Sequence, residues 1–198
     1  MRRVIPTMLA AAFIFVPTGA LAHAGHGDTS ALLNGFTHPL TGIDHVLAMI
    51  AVGVLAAQLG GRALWLVPLS FIGIMAIGGA LGMAGIRIPF AEAGVALSVV
   101  VLGLAIAFPF QLQMMAAVAL AGLLALFHGQ VHGAEIPAAA SGLCYTAGFV
   151  GATTLLHATG IALGLRIASK TSRLGNRVVQ TGGGGMALFG VAILIGVL

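Results

Sequence analysis

The chain has 198 residues, 60% of them hydrophobic and only 6% charged, with 30 glycines and a formal net charge of +4. A soluble domain carries about a quarter charged residues, so the charges here cannot cover a water-exposed surface and lipid must solvate most of the chain. The Lys and Arg residues are scattered at segment ends, which excludes a nucleic-acid face, and a single cysteine, Cys144, excludes an intrachain disulfide and a multi-cysteine metal site.

The N-terminus has the pattern of a secretory signal peptide over 1–22. Arg2 and Arg3 precede an apolar stretch from Val4 to Val16, and Ala20-Leu21-Ala22 forms a small-x-small cleavage site. Cleavage there starts the mature chain at His23, outside the cytoplasm; an uncleaved anchor adds one helix and leaves the remaining topology unchanged. A tail over 23–36 follows. Its His23 and His26 have two readings, as a capture point for metal or as incidental residues of an unstructured terminus.

A spanning helix needs ~20 mostly apolar residues. Such runs cover 39–59, 64–83, 89–108, 111–126 continuing toward His132, 141–165 and 183–198. They predict an all-α integral membrane protein with about six transmembrane helices over 37–198. Cys144 lies in one of these runs and reads as a small packed residue. Breaks fall at Gly60-Gly61-Arg62, Gly85 to Pro89, Pro109, Gly133 to Pro137, and Arg166 to Gln180. With the mature N-terminus outside, Arg62, Arg166, Lys170, Arg173 and Arg177 fall in cytoplasmic loops and only Arg87 falls outside. That asymmetry obeys the positive-inside rule. The longest loop, 166–180, is too short to be a domain, so function must lie within the bundle. Gly78-x3-Gly82 and Gly160-x3-Gly164 read as close helix packing, and Gly182 to Gly185 as a flexible helix start.

Ionisable residues inside a bilayer are costly and point to function. Asp44, Glu92, Glu135, His38, His45, His128, His132 and His157 lie in or beside the runs, whereas no Lys falls in any of them. Acids and imidazoles without paired cations point to a cation as the missing partner. In His38-Pro39-Leu40-Thr41-Gly42-Ile43-Asp44-His45, Pro39 suits a first helical turn and pushes His38 into an extended conformation. Asp44 and His45 then sit about two turns into the first span. Either both face one cavity, or Asp44 orients His45 through a hydrogen bond. Met49, one turn beyond His45, is a weak thioether ligand or a packing residue.

The second constellation is Phe127-His128-Gly129-Gln130-Val131-His132-Gly133-Ala134-Glu135. On a continuous helix His128, His132 and Glu135 fall at ~0°, ~40° and ~340°, all on one face. The i, i+4 spacing lets two imidazoles reach one ion, and two imidazoles with a carboxylate suit Ni, Co or Zn. Topology places both motifs, and Glu92, near the outer face. Asp44, His45, His128 and His132 are therefore expected to converge on one cavity opening toward the periplasm, with Glu92 facing the bundle interior. His157 lies deeper, as a later station on a pathway or as a polar contact of Thr153 or Thr154.

H-x5-D-H in the first mature span and F-H-G-x-V-H-G-x-E in the fourth resemble the HupE/UreJ family of hydrogenase and urease accessory proteins. The resemblance covers essentially the whole mature chain. It implies uptake of nickel, in some members cobalt, across the bacterial cytoplasmic membrane. It makes His38, Asp44, His45, His128, His132 and Glu135 the metal-handling residues. On that reading the protein is not an enzyme. Ni2+ or Co2+ is its transported ion, no cofactor is permanently bound, and its partners are the ion and the bilayer. No G-x4-G-K-[ST] motif is present, so transport is not driven by the chain's own ATP hydrolysis. An intramembrane Zn-dependent hydrolase is a second reading, though H-E-x-x-H is missing and Glu92 is the only separate general base. A non-transporting metalloenzyme assembly factor is a third, though it lacks an exposed domain for binding.

Overall fold

The computed structural model describes residues 27–108, 112–136, 140–167 and 173–197. These form seven helices and, among the described residues, no strand: α1 Gly27–Thr41, α2 Ile43–Leu59, α3 Ala63–Met83, α4 Ala91–Ala107, α5 Met114–Ala134, α6 Gly142–Ile167 and α7 Arg173–Leu194. The all-α expectation holds. The signal segment 1–22, His23 and His26 lie outside the described residues.

Helices α3, α5, α6 and α7 are each long and apolar enough to cross a membrane, and α1 with α2 passes as one broken span bent by 85°. The α4 helix has 17 residues, about 25 Å at 1.5 Å per residue and at the short end for a span. Length and composition thus support four to five spans, short of the expected six. Leu69, Ile77, Leu123 and Leu188 point outward, as a lipid-facing surface requires. The protein is a multi-pass membrane protein.

Two elements depart from expectation. Helix begins at Gly27, inside the segment assigned to a tail, and Pro39 is buried near the end of α1 instead of opening a span. The cause is docking of α1 on α6 through paired glycines. A Cβ on Gly35 would meet the backbone of Tyr145, and one on Gly148 would lie 2.8 Å from the amide nitrogen of Phe36. His38 is therefore helical, not extended. At the other end, α7 starts at Arg173, so Gly182 to Gly185 lie mid-helix. A Cβ on Gly183 would sit 2.7 Å from the Gly103 carbonyl oxygen of α4, and the reciprocal distance is the same. Gly183 is thus a contact point between helices rather than a flexible start.

The same device joins the central helices. Gly78 and Gly82 of α3 face the α5 backbone, and Gly129 and Gly133 of α5 face that of Met75 and Gly79. Gly53 of α2 meets Gly160 of α6. Close approach of this kind is what small residues permit in lipid, where no hydrophobic force drives helices together. Below the polar residues the core is filled by fully buried Met49, Val52, Val67, Phe71, Val99 and Leu102.

Candidate metal centre

Helix α5 persists to Ala134 with Glu135 as its C-cap, so His128 and His132 do share a face one turn apart. Both are buried, His128 fully. Opposite them, His45 projects from the first turn of α2. Its ring centroid lies 4.3 Å from that of His132 and 5.0 Å from that of His128. One nitrogen from each of His45, His128 and His132 lies within 4.8 Å of the others. His38, from the last turn of α1, approaches His132 with centroids 4.7 Å apart. His38, His132 and Glu135 form a second group meeting the same 4.8 Å limit. His132 belongs to both.

The outer group is the more exposed. His38 Nε2 lies 3.1 Å from Glu135 Oε2, and His132 Nδ1 lies 3.4 Å from the same oxygen. The inner group carries its own orienting carboxylate. Asp44 Oδ1 is 2.6 Å from His45 Nδ1 and accepts the His45 backbone N–H at 2.9 Å. Of the two readings of Asp44, the structure has the orienting one. The pair sits in the first turn of α2, not two turns into a span, because the chain breaks at Gly42, which is extended at φ −96° and ψ 119°. A Cβ on Gly42 would lie 2.6 Å from His45 Nδ1 and 2.8 Å from Asp44 Oδ1. His45 Nε2, His128 Nδ1 and both nitrogens of His132 are buried without a hydrogen-bond partner. Leaving a buried polar atom unpaired costs ~1–3 kcal/mol, and several imidazole nitrogens gathered this way form a donor set suited to a borderline divalent metal.

Residues 11–193 match the family model described as HupE / UreJ protein. This chain belongs to the HupE/UreJ family. It is 44% identical to Protein HupE of Rhizobium leguminosarum bv. viciae over 193 residues, 97% of each chain. No solved structure matches it.

The other residues singled out in this HupE/UreJ chain stand apart from the two histidine groups. Glu92 is exposed instead of facing the bundle interior. It lies in the first turn of α4, where free backbone N–H groups favour a carboxylate. It lines an open pocket of about 390 Å³ with Arg87, Gln130 and Glu135. His157 is buried, but Thr153 and Thr154 are not its partners: their hydroxyls bond Met75 Sδ and the Val150 carbonyl. His157 Nδ1 instead lies 2.8 Å from the Met49 carbonyl oxygen and ties α6 to α2. The Met49 side chain is fully buried in the hydrophobic core. Phe71 lies between the two levels, with its centroid 5.5 Å from that of His128 and 5.1 Å from that of His157.

Ser98 joins the site although little in the sequence singles it out. It is fully buried on α4, with Oγ 2.8 Å from His128 Nε2. Its sequence signal is weak: a single hydroxyl in the otherwise apolar stretch 93–107.

Proposed function

We propose that this protein is a secondary permease that carries a divalent transition metal into the cell, Ni2+ first and Co2+ as a competing ion, to supply a hydrogenase or urease. One observation carries the reading: three imidazoles from two helices, His45, His128 and His132, gather inside an apolar bundle with nitrogens that no protein group satisfies. Family membership supports it. The ion sheds water at the periplasmic side to His38, Glu135 and His132, then passes to the buried trio through their common member, His132. The protein lies in the bacterial cytoplasmic membrane with its mature N-terminus outside, and the membrane potential favours entry by ~4.6 kcal/mol per 100 mV for a doubly charged ion.

The test is radionickel uptake, with Co2+ in competition, in cells of a nickel-limited urease or hydrogenase strain. His128→Ala and His132→Ala should abolish high-affinity uptake while the protein remains in the membrane, and excess nickel should restore enzyme activity. Wild-type uptake by both variants would refute the permease reading of these residues.

A further inference from the structure

Ser98 Oγ lies 2.6 Å from the Val95 carbonyl oxygen and 2.8 Å from His128 Nε2. A serine hydroxyl has one hydrogen to give and lone pairs to accept with. The Val95 carbonyl has no hydrogen, so that contact exists only if Ser98 donates to it, the back-bonding familiar for serine within a helix. Ser98 then offers only lone pairs to His128, and Nε2 must bring the proton. With Nε2 protonated, a neutral His128 carries its free lone pair on Nδ1. That nitrogen is buried without a hydrogen-bond partner, and His128 belongs to the inner group with His45 and His132. In the opposite tautomer an N–H would be buried unpaired at Nδ1, and Nε2 would need a hydrogen that Ser98 has already given away.

We infer that Ser98 is a positioning residue of the centre: it holds His128 as the Nε2–H tautomer and so presents Nδ1 to the metal. Asp44 does the corresponding work on α2, where it accepts from His45 Nδ1 and leaves Nε2 bare. The two imidazoles therefore enter the site through different ring nitrogens, each set by a fixed acceptor behind it. Such outer partners fix ring orientation and typically change metal affinity by ~10–100-fold when removed. The metal half of this inference rests on the permease reading; the tautomer half does not.

The two halves are tested separately on the full chain in detergent. Histidine-selective 15N spectra of the metal-free protein, with the His128 signals assigned by their loss in His128→Gln, report which nitrogen bears the proton. The wild type should show Nε2–H at His128, Ser98→Ala should lose that preference, and Ser98→Thr, which keeps the hydroxyl, should retain it. Co2+ titration followed by ligand-field absorption should show ~10–100-fold weaker binding and an altered band in Ser98→Ala. In Ser98→Thr the affinity should be near wild type. Protonation at Nδ1 in the wild type overturns the inference even if no variant folds. A tautomer shift in Ser98→Ala with unchanged Co2+ affinity overturns the positioning role. Absence of Co2+ and Ni2+ binding by a wild type with the expected tautomer sinks the permease reading and leaves the tautomer assignment standing.

Discussion

His128 and His132 stand one turn apart on the unbroken α5, whereas His38 and His45 reach the same place from two helices that meet at 85° around Gly42. On α5 the helical repeat alone aligns the imidazoles, and Gly129 and Gly133, ~100° round the helix from them, serve to bring α3 close. At the elbow the repeat does nothing of the kind. The break lets α1 deliver His38 toward Glu135 while α2 begins again with Asp44 and His45 beside the α5 pair. One arm thus gains its geometry from continuity and the other from interruption. Glycine has opposite duties in the two: on α5 it admits a neighbouring backbone, and at the elbow it leaves room for the Asp44–His45 pair.

Loss of the residue common to both groups should have the largest effect. His132→Ala removes a donor from the outer and inner sets together, and Ni2+ affinity measured by calorimetry on purified protein should fall more than ~100-fold, beyond what loss of an orienting partner costs. His38→Ala, which touches the outer group only, should cost less. Equal losses would mean that the two groups act as one site.

Glycine substitutions sharpen the contrast between the arms. Gly42→Ala would crowd His45 Nδ1 and Asp44 Oδ1, and should weaken Ni2+ binding by ~10–100-fold with a near-wild-type melting temperature. Gly133→Ala would place a Cβ 2.7 Å from the Cα of Gly79, and should destabilise the α3–α5 pair by ~1–3 kcal/mol, the usual range for overpacking. A thermal unfolding series in detergent separates the two. If Gly42→Ala melts early and binds normally, the elbow is a packing feature and not a site feature.

What the sequence discloses differs between the arms for the same reason. A periodic motif in a long apolar run declares its own geometry, so the common face of His128 and His132 is legible in the sequence, whereas the end of the helix at Ala134, with Glu135 as its cap, is fixed only by the structure. The elbow is not legible in that way. The segment from Gly27 is too polar for a span on hydropathy, and its helix depends on docking through Gly35 and Gly148 to a helix more than 100 residues later. The stretch 173–180 likewise reads as a loop because Arg173, Asn176, Arg177 and Gln180 interrupt its apolar residues, although helix α7 runs through it. Ser98 was invisible because a buried serine in an apolar helix declares no partner until the fold brings His128 to it. For Glu92 the sequence indicates the outer end of a span but not which way the side chain turns there, and in the first turn of α4 it is exposed.

Asp44→Asn keeps an oxygen that can accept from His45 but loses the charge, and should reduce Ni2+ affinity by ~10-fold, the lower end of the range for an orienting partner. The smallest effect is expected below the cluster. His157→Gln retains an N–H for the Met49 carbonyl and should leave Ni2+ affinity unchanged in the same titration. A loss as large as that of His128→Ala would place His157 among the ligands and move the centre deeper into the bundle.

The claim that one ion joins the two arms is tested most directly by X-ray absorption of the Ni2+-loaded protein at one metal per chain. The shared site requires multiple-scattering features of about three imidazoles in the wild type, reduced by one in His45→Ala and by one in His128→Ala, with nickel still bound in each. A nickel shell without imidazole, or one that is unchanged when His45 and His128 are removed in turn, would contradict it.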